Sequence, residues 1–197
     1  MLPINIYTYV HDAVSEQNDD KLKDLFFNLF TPELSEITGR EVNIFFYRNT
    51  ESITDFNVLN ESDDRHEYGA SEGRSVRLRD SFTSYIKEMD NTYQPTNVYL
   101  LLVDASQLPE GLKGFAIPEV NVACATTEWL SVVAHEVGHC LGAEHENTAV
   151  YNEHDSQGNT TRCYTFMTAT TGGDVCQLYR YSDENRFLIQ EKLRGAP

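Results

Sequence analysis

The longest apolar run in the chain is Val98-Tyr-Leu-Leu-Leu-Val103. A strand over Asn97 to Asp104 is apolar on both faces and must be covered on both. That is the setting of a central strand in a parallel sheet. A membrane-spanning helix needs about 20 apolar residues, so the run is no span. The flanks agree with a layered α/β fold. Ile4 to Val10 alternates as a first strand. Glu41 to Tyr47 reads as a second, with Val42, Ile44 and Phe46 on one face. Between them, Asn18 or Asp19 caps a helix running to about Ile37. Its Leu22, Leu25, Phe26, Leu29 and Phe30 recur at helical spacing, and Pro32 kinks or breaks it. Residues 48–74 hold Gly, Ser, Asn and many carboxylates and read as a long acidic loop. A second helix follows, with Leu78, Phe82, Tyr85, Ile86 and Met89 in register, and Pro95 ends it. Gly111 and Gly114 bracket a turn. Phe115–Ile117 and Glu119–Ala123 are short strands near an edge. This order predicts a mixed, mostly parallel sheet with packed helices.

The 197 residues suit one domain. Fifteen Lys and Arg against 31 Asp and Glu leave a net charge of −16. Such a surface repels phosphate backbones and anionic lipid, so nucleic acid is not an expected partner. The start, Met1-Leu-Pro-Ile-Asn, has no basic leader and no signal peptide. The triplets Asn60-Glu-Ser62 and Asn159-Thr-Thr161 fit the glycosylation pattern, which is common by chance.

All four cysteines lie in the second half, and none forms a C-x-x-C pair. Cys163 and Cys176 could close one loop as a disulfide, the favoured pairing. Cys140 is either a buried small hydrophobe or bonded to Cys124.

The most informative stretch lies within residues 127–141: Ala134-His135-Glu136-Val-Gly-His139-Cys-Leu. On a helix, His135 and His139 share one side with Glu136 a little further round. Leu130, Val133, Val137, Cys140 and Leu141 fall on the other side. Four residues rise about 6 Å, which lets two imidazoles converge on one ion. Gly142 suits a left-handed helix stop. The chain can then turn back and bring His145 to the same ion. Three histidines and one water make a tetrahedral catalytic zinc site with an exchangeable position. Glu136, off the coordination, can reach that water. His11, His66 and His154 are read as surface or hydrogen-bonded histidines.

His135-Glu-Val-Gly-His139-Cys-Leu-Gly142-Ala-Glu-His145 resembles the extended zinc motif of metzincin metalloproteases. The resemblance implies a turn carrying Met167, within Cys163-Tyr-Thr-Phe-Met167, as an apolar floor beneath the metal. It also implies a small C-terminal subdomain over 143–197 beside an N-terminal one over 1–142. Tyr179 to Leu193 is similar to the closing helix of adamalysin/reprolysin-like proteases. Glu146 stands where that group usually has Asp, and its cysteine near Tyr181-Ser-Asp is missing. Glu146 is astacin-like, yet Ala169 stands where astacins carry a tyrosine, so no fifth tyrosine ligand is expected.

The implied activity is zinc-dependent endopeptidase action with one Zn2+ ion. Glu136 is the general base toward the attacking water and then the proton donor to the leaving amine. An extended peptide would add as a strand along Gly114, Phe115 and Ala116. Thr168, Ala169 and Thr170 would wall the pocket beyond the scissile bond. No cysteine precedes Cys124, so no N-terminal thiolate in this chain can block the zinc. The resemblance further implies a secreted protein, taken here as a monomer. Two other readings are a zinc-retaining binding module without turnover and a metallo-amidase acting on small substrates.

Overall fold

The computed structural model describes residues 1–56, 70–90, 94–154, 157–169 and 176–196, and for 70–75 the backbone only. The acidic stretch 57–69, with Asn60 and His66, therefore lies outside the described residues, as does Thr170. The fold is α/β, as the sequence predicts. Strands β1 (Ile4–Val10), β2 (Val42–Tyr47), β3 (Asn97–Val103), β4 (Gly114–Ile117) and β5 (Val122–Thr126) form one sheet, ordered β2-β1-β3-β5-β4. Only β4 runs antiparallel to its neighbour. Strand β3 is central, and Leu100 to Val103 are fully buried. A second sheet, β6 (Val150–His154), β7 (Thr160–Tyr164) and β8 (Cys176–Gln177), follows the long zinc-motif segment. Among the described residues, no helix is long and apolar enough to cross a membrane.

The two sheet faces are covered differently. On one face, Ile4, Ile6, Leu100 and Leu102 pack against the helices α1 (Asp19–Leu22), α2 (Thr31–Thr38) and α4 (Val132–Cys140) and against α5 (Asp183–Arg194). On the other, Tyr9, Leu101 and Val103 meet Leu78, Phe82 and Ile86 of α3 (Ala70–Met89). Burying each such aliphatic side chain contributes roughly 1.5–3 kcal/mol. Helix α3 begins at Ala70, so the end of the expected acidic loop is helical. Met89, the last helical residue, is exposed.

The first helical region departs from its predicted register. Asn18 caps α1, its side chain accepting from the Lys21 N–H. Residues Lys23–Phe27 then form a π-helical turn, closed by Asn28 N–H donating to the Lys23 carbonyl. One residue more per turn rotates the buried stripe. Phe27 is fully buried and Leu25, expected in the stripe, is 45% exposed. The helix restarts at Thr31, with Pro32 in its first turn, where a missing N–H costs nothing.

Two further boundaries shift. The strand expected at Glu119–Ala123 is β5, starting at Val122, because residues up to Asn121 form a turn. Asn121 takes a positive φ of 52° and its amide donates to the Pro95 and Asn97 carbonyls. Helix α4 begins at Val132, since the chain first turns after leaving β5. Leu130 lies on that turn and is 40% exposed, not in the core. Cys163 and Cys176 are disulfide-bonded, 4.4 Å apart at Cα in paired positions of β7 and β8. Cys124 and Cys140 are free and buried.

Candidate metal centre

Helix α4 packs its apolar side on the sheet and turns His135 and His139 outward, one turn apart. It stops where a residue must go left-handed: Gly142 has φ 98°. The chain reverses and returns His145 on a short 3-10 turn, His145–Asn147. The three side chains meet. Nε2 of His145 lies 2.9 Å from Nε2 of His135 and 3.0 Å from Nε2 of His139.

The protonation states follow from the outer hydrogen bonds. Nδ1 of His135 lies 2.7 Å from the Phe166 carbonyl, and Nδ1 of His139 lies 2.9 Å from the Ala143 carbonyl. A carbonyl only accepts, so each Nδ1 carries the proton and each Nε2 is a bare lone pair. Even a proton on Nε2 of His145 could serve only one of the two at a time. Lone pairs this close repel unless a cation sits among them. The three histidines are thus positioned to hold a metal ion. Burial disfavours the charged form of both helical imidazoles, holding His135 down to about 4 and lowering His139 as well.

Glu136 sits beside the triad on the same helix and is 6% exposed. Burial pushes its carboxyl up to about 8. Gly114 of β4 lies against it so closely that a Cβ there would stand 2.7 Å from Oε1 and 2.6 Å from the Cys124 carbonyl. Only glycine lets the edge strand and the carboxylate occupy this space. Elsewhere on α4, Gly138 is fitted just as closely. A Cβ would stand 2.8 Å from the Met167 sulfur and 2.7 Å from Cε1 of Tyr181. Met167 is fully buried, on the turn whose Phe166 carbonyl holds His135.

A cleft of about 740 Å³ opens over the site. It brings together His135, Glu136, His139 and His145 with Gly114, Phe115, Ala116, Thr168 and Ala169. Leu112, Lys113, Pro118, Ser131 and Val132 also line it and were not singled out from the sequence. Ser131 and Val132 precede His135 by four and three residues, so helical spacing alone could have found them. Lys113 stands 3.8 Å over the Trp129 ring. The other histidines lie elsewhere. His11 is buried, its Nε2 2.6 Å from the Phe56 carbonyl. His154 is exposed, 3.0 Å from the Thr160 hydroxyl.

No protein-family profile and no curated protein matches this chain. Solved structures do. A zinc-dependent peptidase from Methanocorpusculum labreanum aligns with a TM-score of 0.44 and 15% identity, over 93% of this chain and 99% of that one. A chain from a chaperone–substrate complex aligns with a TM-score of 0.47 and 16% identity, over 96% of this chain. The present chain spans 33% of that protein's length. Likenesses at this level leave the site to be read from its own geometry.

Proposed function

We propose that this chain is a zinc-dependent endopeptidase of the metzincin clan, most similar within it to adamalysin/reprolysin-like catalytic domains. The observation that carries this reading is the meeting of three imidazole nitrogens, two of them proton-free, beside a buried carboxylate in an open cleft. In this reading His135, His139 and His145 hold one ion. Bound zinc supplies Lewis acidity, which acidifies a water and polarises the scissile carbonyl. Glu136 takes the proton of the attacking water on its carboxylate and returns it to the leaving nitrogen. Its dry surroundings raise its proton affinity, which suits a group that must both accept and donate near neutral pH. Strand β4 ends the sheet. An extended peptide adds along Gly114–Ala116, with Thr168 and Ala169 walling the pocket beyond the scissile bond and Met167 flooring the metal. The disulfide between Cys163 and Cys176 is compatible with work in an oxidising compartment, and we assign the protein a secreted role as a monomer.

The test pairs metal analysis with cleavage of a mixed peptide library, with and without chelator. One zinc per chain and chelator-sensitive internal cleavage are expected. One zinc per chain with no peptide cut would replace this reading with a binding module. Hydrolysis confined to small amides would replace it with a metallo-amidase.

A further inference from the structure

The third histidine is the least supported. His135 and His139 are fixed by a helix and by carbonyls on Nδ1. His145 is exposed and stands on a three-residue 3-10 turn. Its ring contacts run through Nε2 to the other two histidines. Its place therefore depends on its backbone, and that backbone is gripped from α5.

The grip is one side chain. Asn185 is fully buried. Its Oδ1 accepts from the Glu144 N–H at 2.8 Å, and its Nδ2 donates to the Glu144 carbonyl at 3.1 Å. The same Nδ2 donates to the Asn147 carbonyl, also at 3.1 Å. One amide thus brackets His145 on both sides. Asn185 is itself oriented by Ser182, whose hydroxyl accepts from the Asn185 N–H at 3.2 Å and donates to the Asn147 carbonyl.

The neighbouring residues of this segment do the same for the helical pair. The Tyr181 hydroxyl donates to the Ala134 carbonyl at 2.7 Å, one residue before His135. Lys192 donates to the Cys140 carbonyl, one residue after His139. These two brace a helix that already has its own hydrogen bonds. Asn185 braces a turn that has few.

We propose that Asn185 is the positioning residue for His145, setting the third ligand by clamping the Glu144 and Asn147 backbone. The proposal rests on the reading of the triad as metal ligands. Its consequence is a metal affinity controlled by a side chain that touches neither metal nor substrate. Loss of such an outer partner typically weakens metal affinity about 10–100-fold.

The test is a double-mutant cycle read as zinc affinity, by competition with a chromophoric chelator. Asn185→Ala should raise the zinc Kd about 10–100-fold with an unchanged far-UV circular dichroism spectrum. In a His145→Ala background the same substitution should change nothing further, because its target is gone. The cobalt absorption spectrum of Asn185→Ala should move toward that of His145→Ala. Gln190→Ala, which removes an α5 bond to the Ile37 carbonyl away from the triad, should leave zinc affinity unchanged. If Asn185→Ala does not fold, Asn185→Asp is read in the same way, since it keeps the acceptor and loses both donations. Wild-type affinity in the Asn185 variants overturns the proposal and leaves the metal reading standing. Equal losses in both backgrounds overturn it too, as general loosening. No zinc binding by the wild type overturns the metal reading, and the proposal with it.

Discussion

The two sides of the metal centre are built by different physics. The helix side, His135 to His139, is local: four residues, one turn, and an apolar stripe that fixes which way the imidazoles face. The loop side, from Gly142 through His145 to the turn at Met167, is held by contacts from further along the chain: Asn185 on the Glu144 and Asn147 backbone, and the Arg180 carbonyl accepting from the Phe166 N–H. The helix side is stiff by itself. The loop side borrows stiffness from α5 and the second sheet. A motif of eleven residues is thus two structural problems: the helix sets the spacing of His135 and His139 locally, while the return of His145 depends on α5.

The largest effect is expected at Glu136. If the helix side carries the proton chemistry, Glu136→Gln should keep zinc and lose about 10³-fold or more in turnover. Metal analysis beside single-turnover kinetics checks this, and a wild-type rate would remove Glu136 from the mechanism. The disulfide sharpens the loop side. Replacing Cys163 and Cys176 by serine opens a loop of 13-residue separation and should cost about 3 kcal/mol in denaturant unfolding. Because β7 leads into the turn that holds His135, zinc affinity should fall as well. Gly138→Ala probes the packing of the helix side. Its methyl meets Met167 and Tyr181, so a loss of about 1–3 kcal/mol is expected in thermal or chemical melts.

The smallest and most gradual effect is that of pH on the chelator-treated chain. Burial holds His135 down to about 4, against 6.5 for an ordinary histidine, and lowers His139 as well. The unfolded chain binds more protons in that window, so stability present above pH 6.5 is lost as pH falls toward 4. Burial acts on Glu136 with the opposite sign. Its carboxyl is raised from 4.5 to about 8, so its contribution is complete below 4.5 and lost as pH rises through 8. Melting temperature should decline on both sides, and Glu136→Gln should remove only the alkaline decline. An unchanged alkaline limb in that variant would show that the fall arises elsewhere.

Legibility in the sequence divides along the same line. Strand β1 was readable to the residue because its alternation and its neighbours agree. The central place of β3 followed from apolar residues on both faces. The helix side of the site was legible because its spacing is its geometry, and Gly142 marked its end. The π-turn at Lys23–Phe27 was not legible, since Leu25 and Phe27 suit either register and only packing against Phe46 and Phe30 selects one. Asn185 was invisible for another reason. Its partners lie about 40 residues upstream, and an asparagine in the first turn of a helix ordinarily reads as a local capping group. In the sequence Gly114 reads as a turn residue, yet its closeness to Glu136 depends on how an edge strand meets a helix across 22 positions of chain.

The order of these residues along the chain carries a consequence for synthesis. All three histidines are translated before Tyr181, Asn185 and Lys192, the groups that hydrogen-bond to the backbone beside them. A ribosome-bound chain stopped short of Tyr181 has every candidate ligand and none of these braces. Competence to hold an ion would therefore arrive late in translation, after the ligands themselves have left the ribosome.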